Sequence, residues 1–215
     1  MKIKAIFYDF DGVIKESTQI KTEAFYDLYL PYGIGIAEKV KNHHLLNGGV
    51  SRFEKFKHYH KKFLNIELSK IEINELAEQF SKIVFQKVID SKYVPGALSS
   101  IKKLDGKFKQ FIVTGTPQDE IELILEALDI TQHFKGIFGS PSSKVEISEI
   151  ILKEEKLKKT EVVFVGDATT DYTAAQYYDF AFILRSHSEN YSIFEEVDIL
   201  KTTDLTNLEN MIKSL

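Results

Sequence analysis

The chain contains no cysteine among its 215 residues. Disulfide bonds, thiolate metal sites and a cysteine nucleophile are therefore excluded. No stretch approaches eighteen uninterrupted apolar residues, and acidic residues within "MKIKAIFYDFDG" interrupt any apolar signal region. The sequence thus predicts no membrane partner, and a cytoplasmic location is the expectation.

The chain also has no large excess of positive or negative residues. Lys and Arg number 28 against 32 Asp and Glu, which gives a formal net charge of -4. This balance gives no reason to expect nucleic acid or an acidic membrane as a partner. Internal repeats and low-complexity tracts are absent as well, and the length suits one large domain or a domain with a smaller insertion. We expect a monomer or a small homo-oligomer.

Short apolar runs recur along the chain with helical patterns between them. The runs are "AIFYDF", "QFIVTG", "GIFGS", "EVVFVGD" and "FAFILR". Continuous β-branched and aromatic runs separated by helix-length segments are typical of parallel strands covered on both faces. They predict an α/β fold with a doubly wound, Rossmann-like parallel sheet. The helix after "FIVTG" is predicted to have Thr116 as its cap, Pro117 at its first position, and Asp119 and Glu120 in its first turn.

Residues 16–91 interrupt this alternation, because they hold no convincing strand and several helical patterns. One of these helices opens with a predicted capping box, Ser69 with Glu72. We therefore predict two domains: an α/β core formed by residues 1–15 and 92–215, and an all-helical cap domain formed by residues 16–91.

Polar side chains follow several of the predicted strands. Because the carboxyl ends of parallel strands meet at one edge of the sheet, these side chains should converge. Carboxylates from separated segments suit Mg²⁺, while a hydroxyl with neighbouring amides and a lysine suit a phosphoryl group. Together they indicate phosphoryl transfer through an aspartyl phosphate. The residues are Asp9, Asp11, Thr114, Lys144, Asp167 and Asp171.

At these positions the chain resembles the haloacid dehalogenase superfamily, in its phosphatase and phosphomutase branch. "DFDGV" is similar to the first family motif, "VTG" to the second, Lys144 to the third and "GDATTD" to the fourth. The motifs occur in family order along the whole chain, with a helical insertion between the first two. The resemblance implies a Mg²⁺-dependent enzyme that acts on a small phosphorylated metabolite.

The first motif would carry the chemistry. The resemblance implies that Asp9 attacks phosphorus, forms the covalent intermediate and places its second oxygen on the metal. Asp11 would protonate the leaving oxygen, then deprotonate the attacking water, and its backbone carbonyl would also bind the metal. Dehalogenases and phosphonate-cleaving members lack an acid at the position of Asp11, which argues against both of those reactions.

The other three motifs would bind phosphate and metal. By the same resemblance, Thr114, the amide of Gly115 and Lys144 would hold the phosphoryl oxygens. Asp167 would be a direct metal ligand, and Asp171 would support the metal directly, through water or through a lysine contact.

The helical insertion is expected to select the substrate. Its segment "NGGVSRFEKF" resembles the cap segment of the β-phosphoglucomutases, in which an arginine grips the phosphate that is not transferred, and Arg52 occupies that position. Lys21 stands where that mutase has a hinge histidine. Arg52, Lys55 and Lys21 are therefore candidate substrate contacts. The adjacent His43 and His44 are interpreted as packing residues, since neighbours on a helix point in different directions.

These features favour a phosphatase, with a sugar phosphomutase as the alternative. Outside enzymes, acids, a threonine and a lysine at sheet ends also describe receiver domains, which are phosphorylated on aspartate. Receivers, however, lack a long helical insertion after the acidic pair, and their phosphorylated aspartate lies on a later strand. A catalytically silent binding relative is the other alternative outside enzymes, and it would turn over no phosphate ester with Mg²⁺.

Overall fold

A computed structural model describes residues 2–215. Within this part of the chain six strands form one sheet in the order β3-β2-β1-β4-β5-β6, and every neighbouring pair is parallel. The strands are β1 (Ala5–Tyr8), β2 (Lys109–Pro117), β3 (Gly136–Ser140), β4 (Val162–Gly166), β5 (Ala181–Arg185) and β6 (Leu200–Thr202). The predicted Rossmann-like α/β fold is confirmed, and so are all five predicted strands.

The central strands are covered on both faces. All residues of β1 and β4 are buried, which explains their continuous apolar sequences. Ile6 and Tyr8 enter the core on one face of the sheet, whereas Ala5 and Phe7 enter the core on the other. The sheet therefore separates two apolar layers, and its ends are left for polar residues.

Residues 2–215 contain ten α-helices, and none of them combines the length and apolarity needed to cross a membrane. They are α1 (Thr18–Tyr29), α2 (Ile34–Leu46), α3 (Arg52–Tyr59), α4 (Lys70–Asp90), α5 (Ala97–Leu104), α6 (Gln118–Ala127), α7 (Lys144–Glu154), α8 (Thr169–Tyr178), α9 (Tyr191–Phe194) and α10 (Leu208–Lys213).

Helices α1 to α4 lie in residues 16–91, and the described chain has no strand of the sheet there, whereas α5 follows them and leads into β2. The predicted capping box of α4 is confirmed, because Ser69 and Glu72 bond reciprocally. Aromatic rings from three of these helices meet in its core: Phe25 lies 4.3 Å from Phe80 and 5.7 Å from Phe56, centroid to centroid. These rings pack the helices of the insertion together, and they belong to the same apolar cluster as one face of the sheet.

The chain leaves and re-enters the sheet region along two adjacent segments. The amide of Glu16 donates to the carbonyl of Lys92 at 2.9 Å, and the amide of Val94 donates to the carbonyl of Ile14 at 3.0 Å. The segments run side by side at the positions where the sequence places the domain boundary. The division into residues 1–15 with 92–215 and residues 16–91 itself stays a prediction.

The start of α6 differs from the predicted one. The helix begins at Gln118 with Pro117 as its N-cap residue, so the predicted cap at Thr116 is wrong by one residue. Asp119 and Glu120 lie in the first turn, as predicted. The hydroxyl of Thr116 instead donates to Asp11 at 3.0 Å, an ionised partner that outcompetes the helix amides.

Candidate active site

The predicted core-site residues meet at the carboxyl edge of the sheet. Asp9 directly follows β1, Thr114 lies in β2 and Asp167 directly follows β4. Lys144 and Asp171 lie in the first turns of α7 and α8, at the same edge. Parallel strand pairing produces this convergence, since it places all the strand ends on one side.

Three buried carboxylates form a cluster at this edge. One oxygen each from Asp9, Asp167 and Asp171 lies within 4.8 Å of the other two. The Lys144 Nζ donates to Asp9 at 2.6 Å and to Asp171 at 2.5 Å. Burial alone would lower the pKa of Lys144, but the charges of Asp171 and Asp9 outweigh it and raise that pKa above its usual value. Lys144 is thus a fixed cation between two acids.

The cluster holds more negative charge than Lys144 neutralises. Burial, together with the neighbouring carboxylates, raises the pKa of both Asp167 and Asp171. Carboxylate oxygens are the ligands that Mg²⁺ prefers, so the donor set fits a hard divalent cation. Both Asp171 oxygens already have partners in the chain, because the second one accepts from the amides of Asp167 and Ala168 at 3.2 and 3.0 Å. Asp171 therefore positions Lys144 and the loop after β4.

The glycine of "DFDG" is required by the approach of Asp167. Gly12 has φ of 73°, and a Cβ built on it would lie 2.1 Å from Asp167 Oδ2. A side chain at this position would displace that carboxylate, and the backbone conformation itself favours glycine. Gly12 thus allows the loop after β1 to pass beside the cluster.

The Asp11 carboxylate stands apart from the cluster. It accepts hydrogen bonds from Ser17 at 2.6 Å and from Thr116 at 3.0 Å, and it forms an ion pair with Lys21. Burial raises the pKa of Asp11, but Lys21 and the hydroxyl donors outweigh this effect and hold it below its usual value. The side chain is 16% exposed. Its position beside the cavity suits proton transfer, and its predicted roles stay predictions.

Two residues at this edge were not predicted. His187 Nε2 lies 2.9 Å from Asp167 Oδ2, and the Asn190 amide donates to the Asp167 carbonyl at 2.7 Å. Both follow β5 in a segment, "SHSEN", that matches no motif. The sequence offers one indication of their role: the loop follows a predicted strand, and the carboxyl ends of the strands are expected to converge. These side chains orient Asp167.

The helical insertion lies directly on the predicted phosphate-binding residues. A Cβ on Gly115 would lie 2.5 Å from the Gly49 carbonyl oxygen, so the two backbones touch. Thr170 donates to the Gly48 carbonyl at 3.4 Å nearby. Thr114 is buried beneath this contact. The loop between α2 and α3 therefore covers the edge of the sheet.

A cavity of about 100 Å³ remains between the insertion and the sheet. Its lining combines the residues predicted for catalysis with those predicted for substrate contact. They include Asp9, Asp11, Lys21, Arg52, Lys55 and Thr114. A cavity of this size suits a small ligand.

The Arg52 guanidinium is already paired. It forms two parallel hydrogen bonds with Glu120 at 2.8 and 2.6 Å, donates to Ser81 at 2.6 Å, and lies 4.6 Å from the centre of the Phe80 ring. Burial raises the pKa of Glu120, but Arg52 outweighs this effect and lowers it. Arg52 therefore joins the insertion to α6, and its predicted substrate contact stays a prediction.

Lys55 differs from the other cations at the cavity. Its side chain is 2% exposed, and its Nζ lies 2.8 Å from His44 Nδ1. In residues 2–215 no carboxylate lies within ion-pair distance of it. Burial, followed by the charge of Lys21, lowers the pKa of Lys55 to about 7. Folding thus removes this cation from water without an acidic partner.

We expect Lys55→Met to stabilise the protein at low pH. Below pH 7, Lys55 is protonated in both the folded and unfolded states, so the folded state carries the full cost of the buried charge. Above pH 7 the folded state loses the proton first, and this cost shrinks. At pH 6 the melting temperature should rise by on the order of 5 °C, and less at pH 9. Lys62→Met, at an exposed lysine, is the control. An equal or lower melting temperature for Lys55→Met at pH 6 would contradict the buried charge.

Comparisons with known proteins agree with this architecture. The sequence profile of the haloacid dehalogenase-like hydrolases matches residues 6–184. No curated protein sequence matches the chain significantly. The chain belongs to the haloacid dehalogenase-like hydrolases.

Solved structures share the fold at low sequence identity. A predicted phosphatase from Clostridium acetobutylicum has a TM-score of 0.77 at 16% identity, with 100% of each chain covered. A β-phosphoglucomutase from Clostridium difficile has a TM-score of 0.76 at 18% identity, covering 99% of this chain and 98% of that one. A predicted phosphoglycolate phosphatase from Haemophilus somnus 129PT has a TM-score of 0.74 at 18% identity, covering 98% of each. At these identities the likeness concerns the fold.

Proposed function

We propose that the protein is a Mg²⁺-dependent phosphatase that hydrolyses a small phosphorylated metabolite through an aspartyl phosphate. The observation that carries this proposal is the position of Asp9, which shares Lys144 with Asp171 inside a buried cluster of three carboxylates. An acid with a separate environment, Asp11, stands beside the same cavity. In this proposal one carboxylate attacks phosphorus and the other moves protons.

The first half of the reaction forms a bond between an Asp9 oxygen and phosphorus and breaks the bond from phosphorus to the ester oxygen. Asp11, which is ionised beside Lys21, would take up a proton when the substrate binds and would then donate it to that leaving oxygen. In the second half ionised Asp11 takes a proton from water, the water oxygen bonds to phosphorus, and the bond to Asp9 breaks. Inorganic phosphate and the original carboxylate result.

The remaining site residues would bind the phosphoryl group and the metal ion. Lys144, Thr114 and the Gly115 amide would bind the phosphoryl oxygens. Asp9, Asp167 and the Asp11 carbonyl would hold Mg²⁺, with Asp171 in support, and the bound ion would supply charge neutralisation at the phosphoryl group. His187 and Asn190 would keep Asp167 oriented toward it.

Residues 16–91 act in this proposal as a cap that closes on the site. The contact between Gly49 and Gly115 supports this role, because it places the insertion over the phosphate-binding residues. Closure excludes bulk water and brings Arg52, Lys55 and Lys21 to the substrate side of the cavity.

A sugar phosphomutase is the second candidate, and the segment around Arg52 favours it. The phosphatase is preferred because both terminal nitrogens of the Arg52 guanidinium already donate to Glu120. A mutase would use this guanidinium to bind the second phosphate of its substrate. Lys21 also bonds to Asp11 and to Thr116, so the proposed acid/base is held by a cation from α1.

Phosphate release from phosphorylated sugars, phosphoglycolate and nucleotides tests the proposal. With Mg²⁺ we expect turnover of at least one small ester, and with a chelator we expect its loss. Mg²⁺ should also raise the melting temperature of the wild type but not that of Asp167→Asn, because ligand binding stabilises the folded state. Metal-independent turnover would contradict the proposal. Isomerised product from β-glucose 1-phosphate with a bisphosphate primer, with little free phosphate, would favour the mutase.

A further inference from the structure

The cations around the cavity are matched to acids in all cases but one. In the described part of the chain, Arg52 pairs with Glu120, Lys21 with Asp11, and Lys144 with two carboxylates of the cluster. Lys55 contacts His44 instead, and its Nζ lies 5.4 Å from the centre of the Phe25 ring. A buried ammonium group without an anion is costly, and Lys55 is therefore available to pair with an anion that enters the cavity.

His44 does not neutralise Lys55. Burial of the His44 ring, together with the positive charges of Lys55 and Lys21, lowers the pKa of His44 well below its usual value. The ring is therefore neutral at physiological pH and can share a hydrogen bond but no charge. Both residues line the cavity, on the side formed by the insertion.

We propose that Lys55, positioned by His44, binds a second anionic group on the substrate, so that the substrate is a short phosphate monoester carrying a carboxylate. This inference rests on the proposed phosphatase function and adds the class of its substrate. The small volume of the cavity, about 100 Å³, favours a carboxylate over a bulkier second phosphate. Arg52 then keeps the cap attached to α6, while Lys55 selects the ester.

A pair of matched esters tests the subsite. 2-Phosphoglycolate and ethyl phosphate have the same chain length and differ in the carboxylate. A charge-assisted hydrogen bond should give the wild type about a 10- to 100-fold higher kcat/KM for 2-phosphoglycolate. Lys55→Met should remove this preference, because it should lower kcat/KM for 2-phosphoglycolate by about 10-fold or more relative to kcat/KM for ethyl phosphate. Lys62→Met, at an exposed lysine, should leave both unchanged.

The pH dependence of the preference gives a second readout. The charged and titratable groups that face Lys55 are His44, Lys21, Asp11, Lys144 and Arg52. In the wild type the preference should decrease as pH rises above 7, because Lys55 loses its proton. Lys55→Arg keeps its charge throughout this range, so its preference should persist at pH 9.

Binding separates failure of the subsite from failure of the phosphatase proposal. Calorimetry with Asp9→Asn and the Asp9→Asn/Lys55→Met double variant measures affinity for both esters without turnover. Tighter binding of 2-phosphoglycolate that disappears with Lys55→Met supports the subsite, even if the wild type hydrolyses neither ester. Equal losses for both esters, or a preference that survives Lys55→Met, would overturn it.

Discussion

Asp9→Asn should reduce turnover of the best substrate by at least about 1,000-fold, because it removes the proposed nucleophile and leaves its surroundings in place. The amide keeps the size of the carboxylate, and Lys144 retains its 2.5 Å bond to Asp171. Steady-state phosphate release with saturating Mg²⁺ measures the effect. We expect the folded structure to persist, since the cation of Lys144 still has an acidic partner.

Asp27→Asn is the matched control, because Asp27 is an exposed aspartate on α1. Its turnover should equal that of the wild type. Acid quenching of the wild type during turnover should in addition trap phosphate on the protein, and Asp9→Asn should trap none. If Asp9→Asn keeps its turnover, the aspartyl phosphate mechanism proposed for this site is wrong.

Glu120→Gln should destabilise the protein by about 3 kcal/mol or more, because it leaves the Arg52 guanidinium buried without an anion. Arg52 is 4% exposed and Glu120 7% exposed, so water cannot replace the lost carboxylate. The free energy of unfolding from urea titration measures this effect. Glu149→Gln, which breaks the exposed pair of Glu149 with Lys153, should cost less than about 1 kcal/mol.

The single variant Arg52→Met and the double variant Arg52→Met/Glu120→Gln complete a double-mutant cycle. Removing both charges should restore much of the stability lost in Glu120→Gln, which gives a favourable coupling energy between the two positions. If Glu120→Gln costs no more than Glu149→Gln, the pair is not formed in solution. Arg52 would then be free for a second phosphate, which would favour the mutase.

The sheet and its polar edge were predictable from the sequence for one reason. Buried parallel strands have continuous apolar sequences, and their carboxyl ends must converge, so the positions of Asp9, Thr114 and Asp167 follow from the pattern. Strand β6 was not predictable, because its three residues are "LKT" and none of them is buried. Such a short edge strand has no hydrophobic periodicity to detect.

The pairings within the site were not predictable, because they join segments far apart in sequence. Lys21, Arg52 and Lys55 all lie in helical patterns that are typical of solvent-exposed faces. In the structure Lys21 pairs with Asp11, Arg52 pairs with Glu120, and Lys55 pairs with neither acid. Only the packing of the insertion on the sheet decides these partners. Thr116 shows the same limit. The local sequence predicts it as a helix cap, but its hydroxyl donates to Asp11, which is 105 positions away in the sequence.

The strand order has a consequence for synthesis of the protein. Strand β1 is made first, yet its two neighbours are β2 and β4, which end at Pro117 and Gly166. One edge of this apolar strand stays open on the ribosome until residue 166 has been added. An open apolar edge favours aggregation, so chains that terminate before β4 should be insoluble, and a chaperone that shields β1 should increase the yield of the full-length protein.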